Sequence, residues 1–125
     1  MKPLNFPKKE RLKSRSAIET LFREGSKSKS FPILMVYRFV EEQEQKVMFS
    51  VSTRRFKKAV DRNRIKRQMR EIYRLHRKEW FLKEDRGIHC CFIFLSNSLP
   101  DYGELETKIS EAVMRSDINY SRAEA

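Results

Sequence analysis

Two cysteines, two histidines and no apolar run of membrane-spanning length set the first limits on this 125-residue chain. A spanning helix needs about 20 consecutive apolar residues, and the densest apolar runs, residues 31–40, 47–51 and 90–95, are far shorter. The N-terminal stretch is basic but leads into no apolar region, so it does not read as a secretory signal, and a cytoplasmic protein is expected. Cys90 and Cys91 are neighbours in an expected strand. Their side chains then point to opposite faces, which argues against a mutual disulfide and for packing in the core. With no CxxC pair and the histidines far apart, no zinc site is expected. A Ser/His/Asp set and a close carboxylate pair are missing too. His76 falls on the apolar side of an expected helix and reads as packed. His89 opens an expected strand and reads as isolated. No metal or cofactor is expected in the protein itself, and no small-molecule substrate.

Acidic residues are scarce in one place only. Residues 54–78 hold twelve Lys or Arg against Asp61 and Glu71, a net +10. The whole chain has 28 basic and 17 acidic residues, net +11, so the rest is nearly neutral, with sixteen basic against fifteen acidic. A focused basic patch on a balanced protein is what a polyanion site requires.

At this length one domain is expected, over residues 10–114, between a flexible basic arm (residues 1–9) and a frayed tail (residues 115–125). Helical periodicity runs from near Glu10 through Leu12, Ile18, Leu21 and Phe22, with Gly25 as the stop and Ser14 or Ser16 able to cap a shorter version. Residues 26–30 form a polar connector with room for a short edge strand. Residues 31–40 read as a strand, with Ile33, Met35, Tyr37 and Phe39 on one face and Leu34, Val36 and Arg38 on the other. Residues 46–52 alternate cleanly, with Val47, Phe49 and Val51 on one face and Met48, Ser50 and Ser52 on the other. A helix over residues 61–81 puts Ile65, Met69, Ile72, Tyr73, His76 and Trp80 on one side. Lys66, Arg67, Arg70, Arg74, Arg77 and Lys78 fall on the opposite side. Residues 88–95 form an apolar run suited to a central strand, and residues 104–114 a last helix. The order of elements is that of an α+β layer fold.

Like charges at helical spacing repel, and this cationic face has few acids at i+4 to offset them. Arginine outnumbers lysine eight to four within residues 54–78. Guanidinium binds phosphate in bidentate fashion and stacks on bases, which favours nucleic acid over an acidic protein. A membrane-surface helix would need exposed bulky apolar residues, and here the apolar side is needed for the sheet. The chain shows no helix-turn-helix spacing, zinc motif or heptads, the usual signs of a DNA reader. Aromatics near basic residues favour unpaired RNA, and Phe22, Phe31 and Tyr37 are the candidates for stacking. Arg62 and Arg64 both lie off the apolar face, so neither is expected to matter for stability.

Residues 58–67 read KAVDRNRIKR. This resembles the Arg-Asn-Arg signature of the protein subunit of bacterial ribonuclease P. The similarity extends upstream through SVSTRRFKKAV and back to LFREG at the end of the first helix, and downstream through the basic helix, apolar strand and last helix. The resemblance implies a single-domain α-β-β-β-α-β-α sandwich, similar to the second domain of ribosomal protein S5, with a left-handed β-α-β crossover. It implies a protein that binds a catalytic RNA and the 5′ leader of precursor tRNA, and so assists endonucleolytic removal of the leader. The active site and its Mg2+ are then expected in the RNA. The residues implied against RNA are Arg62, Asn63 and Arg64 of the signature, Lys66, Arg67, Arg70 and Arg74 after it, and Arg54, Arg55, Lys57 and Lys58 before it. Phe22, Tyr37, Ser50 and Ser52 are implied in a leader cleft. Two departures stand out. Lys57 and Lys58 replace a common glycine-asparagine pair, which implies stronger phosphate contact, and Ile18 stands where an aromatic is common. A non-enzymatic RNA-binding module, such as a ribosome-associated protein, is the alternative reading.

Overall fold

The computed structural model describes residues 10–42, 44–80 and 87–116. Along them run α1 (Arg15–Glu24), β1 (Ser26–Ser30), β2 (Ile33–Val40), β3 (Gln45–Val51), α2 (Ala59–Trp80), β4 (Gly87–Phe94) and α3 (Tyr102–Arg115). The α+β order expected from the sequence is the observed one. The strands form one mixed sheet in the order β1-β2-β4-β3, with β1, β2 and β4 antiparallel in sequence along it and β3 parallel to β4. Because β3 and β4 are parallel neighbours, α2 is the crossover of a β-α-β unit. The expected arm and most of the expected tail lie outside the described residues.

Strand parity divides the molecule into two apolar layers. Ile33, Met35 and Tyr37 of β2, Val47, Phe49 and Val51 of β3, and Cys90, Phe92 and Phe94 of β4 face α2 and α3. Ile65, Met69 and Ile72 of α2 are fully buried against them. Each such side chain contributes about 1.5–3 kcal/mol relative to exposure. Val36 and Cys91 face the other way, under Leu12 and Leu21. The two cysteines thus sit in different layers, and burial pushes the Cys91 thiol up to about 12 and Cys90 well above its ordinary value.

Several boundaries differ from the sequence reading; α2 and α3 each begin two residues earlier, at Ala59 and Tyr102. The first helix starts at Arg15, where Ser14 caps it by accepting from the Ala17 amide at 3.3 Å. Leu12 upstream is not helical; its amide donates to the Val47 carbonyl at 3.0 Å, and Arg11 pairs in parallel with Val47. The polar connector is a full strand, β1, whose Ser28 and Ser30 are buried. Ser28 donates to the Ala112 carbonyl at 2.6 Å, and Ser30 to Glu111 at 2.6 Å, so α3 holds this edge. Phe31 and Pro32 form the turn into β2 instead of its first residues. Gly25 does end α1, but by close approach and not by a left-handed turn. Its φ is −74°, and an added Cβ would lie 2.4 Å from the Leu21 carbonyl oxygen and 2.9 Å from that of Tyr37.

His76 clasps α2 to α3. Its Nδ1 lies 2.8 Å from Glu79, its Nε2 lies 2.6 Å from Glu106, and its ring stacks on Trp80 at 5.4 Å. Both ring nitrogens can donate only in the imidazolium. The hydrogen bond to Glu106, then that to Glu79, raise the His76 pKa above its ordinary 6.5. A raised native pKa contributes stability fully below the unfolded value and loses it as pH climbs through the native value. We expect the melting temperature to fall, for this group, as pH rises from just below 6.5 to well above it, and His76→Gln to flatten that part of the profile. Identical profiles for the two proteins in thermal unfolding would rule this out. His89 is not isolated: it is buried and its Nε2 meets Glu44 at 2.8 Å.

Candidate nucleic-acid interface

Two surfaces meet near the N-terminal end of α2. The first is the sheet face under α1. Parity and register put Leu34, Ile93 and Ser50 in one row across β2, β4 and β3, with Val36, Cys91 and Met48 in the next. The ten residues of α1 roof the second row and leave the first half-exposed. Ser50 and Ser52 line this open end, and Phe22 stands 43% exposed on α1 one turn after Ile18, which packs on the same layer. On this face, where the leader cleft is expected, lie a half-exposed apolar row, the hydroxyls of Ser50 and Ser52 near its end, and an exposed aromatic on the neighbouring helix.

Tyr37 does not belong to it. It is 5% exposed and lies in the layer beneath α2 and α3, on the opposite side of the sheet from Ser50 and Ser52. The physical reason is parity: a one-residue shift along a strand moves a side chain to the other face. Leu34 and Ile93, the apolar members of the half-exposed row, were legible only as strand residues. Ile93 is half-buried, so β4 is not covered on both faces to its end.

The second surface is cationic. After β3 the chain turns through residues 52–58, with the Phe56 amide donating to the Ser52 carbonyl at 3.1 Å and the Arg54 amide to Ser52 Oγ at 3.1 Å. Phe56 is buried and packs on Phe94 at 6.1 Å. Arg54, Arg55, Lys57 and Lys58 are exposed around it. Arg55 reaches Asn97 at 3.0 Å, tying the turn to the loop after β4. On α2, Asn63, Arg64 and Arg67 are exposed, and Lys66 and Arg70 half-exposed.

The helix face is less purely cationic than its sequence. Arg74 pairs with Glu71 at 2.8 Å, and Arg77 pairs with Glu10. Glu10 also accepts from the Tyr73 hydroxyl at 3.1 Å. These contacts fasten residues 10–13 beside α2 and add cations that the sequence reading missed. A groove of about 860 Å3 runs between that segment, the edge of β3 and α2, lined among others by Arg11, Lys13, Lys66, Arg67 and Arg70. Desolvation, then the nearby Arg11 and Arg67 charges, lower the Arg70 pKa. Such crowding of like charge is relieved by an anion. Among the described residues no group of three or more His, Cys, Asp or Glu side chains could hold a metal ion, and no helix is long and apolar enough to cross a membrane.

The sequence matches the profile of the Ribonuclease P family over residues 6–117. The chain belongs to the ribonuclease P family. It is 35% identical over 114 residues to the ribonuclease P protein component of Porphyromonas gingivalis, covering 86% of this chain and 83% of that one. It is 45% identical over 83 residues to the ribonuclease P protein component of Dictyoglomus turgidum, covering 64% and 65%. In fold it is similar to the solved ribonuclease P protein of Thermotoga maritima, with a TM-score of 0.72, 22% identity and coverage of 86% and 97%. The Staphylococcus aureus ribonuclease P protein gives a TM-score of 0.65 at 18% identity, covering 88% and 91%. Arg62, Asn63 and Arg64 lie in the first two turns of α2, shortly after the basic turn.

Proposed function

We propose that this chain is the protein component that assembles with the catalytic RNA of ribonuclease P and receives the 5′ leader of precursor tRNA, so assisting endonucleolytic removal of the leader. The observation that carries the reading is a concentrated, exposed cationic turn and helix start that follows directly on β3, whose Ser50 shares a half-exposed row with Leu34 and Ile93. Unpaired bases stack on aromatics and over apolar floors, and hydroxyls meet sugar or phosphate groups. The cations supply what the chain's chemistry requires: they neutralise phosphates so that two RNAs can approach, and they hold the substrate in register. In this reading the Mg2+ of the reaction belongs to the RNA subunit, and the protein's part is positioning and charge neutralisation.

The test combines the purified protein with a bacterial ribonuclease P RNA at low magnesium and measures cleavage of precursor tRNA. A gain in cleavage is expected, together with tighter binding of leader-bearing than of mature tRNA by the assembled complex. Tight RNA binding with no gain in cleavage and no leader preference would instead mark a non-enzymatic RNA-binding module. Cleavage by the protein alone would contradict the assignment of catalysis to the RNA.

A further inference from the structure

Arg62 does not face outward with the rest of the basic surface. Its Nη1 donates to the Phe56 carbonyl at 2.7 Å and to the Lys57 carbonyl at 2.9 Å. The turn it grips has few other ties. Phe56 anchors it in the core, Ser52 satisfies its first amides, and the Lys58 carbonyl accepts from the amides of Asp61 and Arg62 at the start of the helix. The carbonyls of Phe56 and Lys57 lie between these anchors, and the Arg62 guanidinium takes both. No residue here has a positive φ and none is glycine, so the turn is not shaped by backbone freedom. Arg64, two residues on, is exposed and makes no hydrogen bond or ion pair among the described residues.

We propose that Arg62 is a positioning residue: it places the cationic turn, and its effect on RNA binding passes through Arg54, Arg55, Lys57 and Lys58, whereas Arg64 meets the RNA directly. The proposal divides roles within the signature and rests on the RNA-binding reading above. The planar guanidinium offers several donors in a fixed fork, which suits bridging two successive carbonyls. By covering those carbonyl dipoles, it also removes acceptors from a surface that must receive phosphate.

Two measurements test it. The first needs no RNA: hydrogen exchange of the free protein should show the Phe56 amide exchanging about tenfold faster or more in Arg62→Ala, with no change in Arg64→Ala. Unchanged exchange in Arg62→Ala would overturn the clamp. The second is a double-mutant cycle on binding to a bacterial ribonuclease P RNA, in the wild-type background and in one with alanine at Arg54, Arg55, Lys57 and Lys58. Arg62→Ala should cost on the order of tenfold in affinity in the first background and less than about threefold in the second. Arg64→Ala should cost the same in both. Equal costs of Arg62→Ala in both backgrounds would make it an independent contact and sink the proposal. Should Arg62→Ala melt below the assay temperature, Arg62→Gln takes its place in the cycle, judged by the same two outcomes. Absence of binding by the wild-type protein would count against the proposed function, and the exchange measurement would still decide the clamp.

Discussion

Alanine at Arg54, Arg55, Lys57 and Lys58 together is expected to weaken binding to ribonuclease P RNA on the order of a thousandfold near physiological salt. All four side chains are exposed on one short turn. If each neutralises one phosphate, each releases close to one counter-ion on binding, and the plot of log affinity against log salt should flatten by roughly three to four units. Stability should change little, because the core anchor of the turn is Phe56 and the substituted side chains lie outside it. Alanine at Arg74 and Arg77 should flatten the plot far less. Their charges are already offset by Glu71 and Glu10, so they neutralise less phosphate and displace fewer of the counter-ions condensed on the RNA. Titrations at several salt concentrations read this directly. An unchanged slope in the turn variant would move the phosphate contacts elsewhere on the protein.

Phe92→Ala is expected to remove about 3–5 kcal/mol, a large part of the 5–15 kcal/mol that holds a domain of this kind together. Phe92 is fully buried on the central strand β4. It stacks on Phe49 at 5.9 Å and 15°, and meets Trp80 at 6.2 Å. Its loss therefore opens a cavity where two strands and α2 converge, and none of the three can move in without breaking sheet register or helix packing. A fall in melting temperature of roughly 10–20 °C follows. Phe22→Ala offers the contrast. That ring is 43% exposed, so stability should shift by no more than about 0.5 kcal/mol while leader binding weakens. A loss below about 1 kcal/mol for Phe92→Ala would mean that the two rings do not pack as described.

Where the sequence was readable, the reason was period. The alternation in β2 and β3 sorted Ile33, Met35 and Tyr37 from Leu34 and Val36, and the helical period of α2 separated Ile65, Met69 and Ile72 from the cations. Both patterns are local, and both survive folding. The contacts that could not be read join distant segments. Glu10 reaches Tyr73 and Arg77, 63 and 67 residues away, and Glu44 reaches His89, 45 residues away. Nothing in the spacing of charges announces such pairs. The site divides in the same way. The cationic turn was visible as charge, and parity set Ser50 and Ser52 on the face away from Val47 and Phe49, while only the resemblance proposed a cleft there. The inward grip of Arg62 was not, since a helical wheel orders side chains around an axis and ignores backbone carbonyls before the helix begins. Tyr37 shows the reverse: resemblance placed it in the cleft, while its own parity with Ile33 and Met35 already put it in the core.

The strand β1, with its sequence SKSKS, closes one side of the sheet and leaves that side unpaired. An open strand edge is a template on which a second copy could add its own strand. Here the buried serines are taken by α3, and Lys27 and Lys29 project from the border as repelling charges. The opposite border, β3, is crossed at Val47 by Arg11 and Leu12. Both margins, as far as the described residues go, thus carry devices against edge pairing, charge at β1 and a crossing segment at one point of β3. A basic chain proposed to bind a large RNA thus carries, on both margins of its sheet, features that disfavour pairing with a second copy.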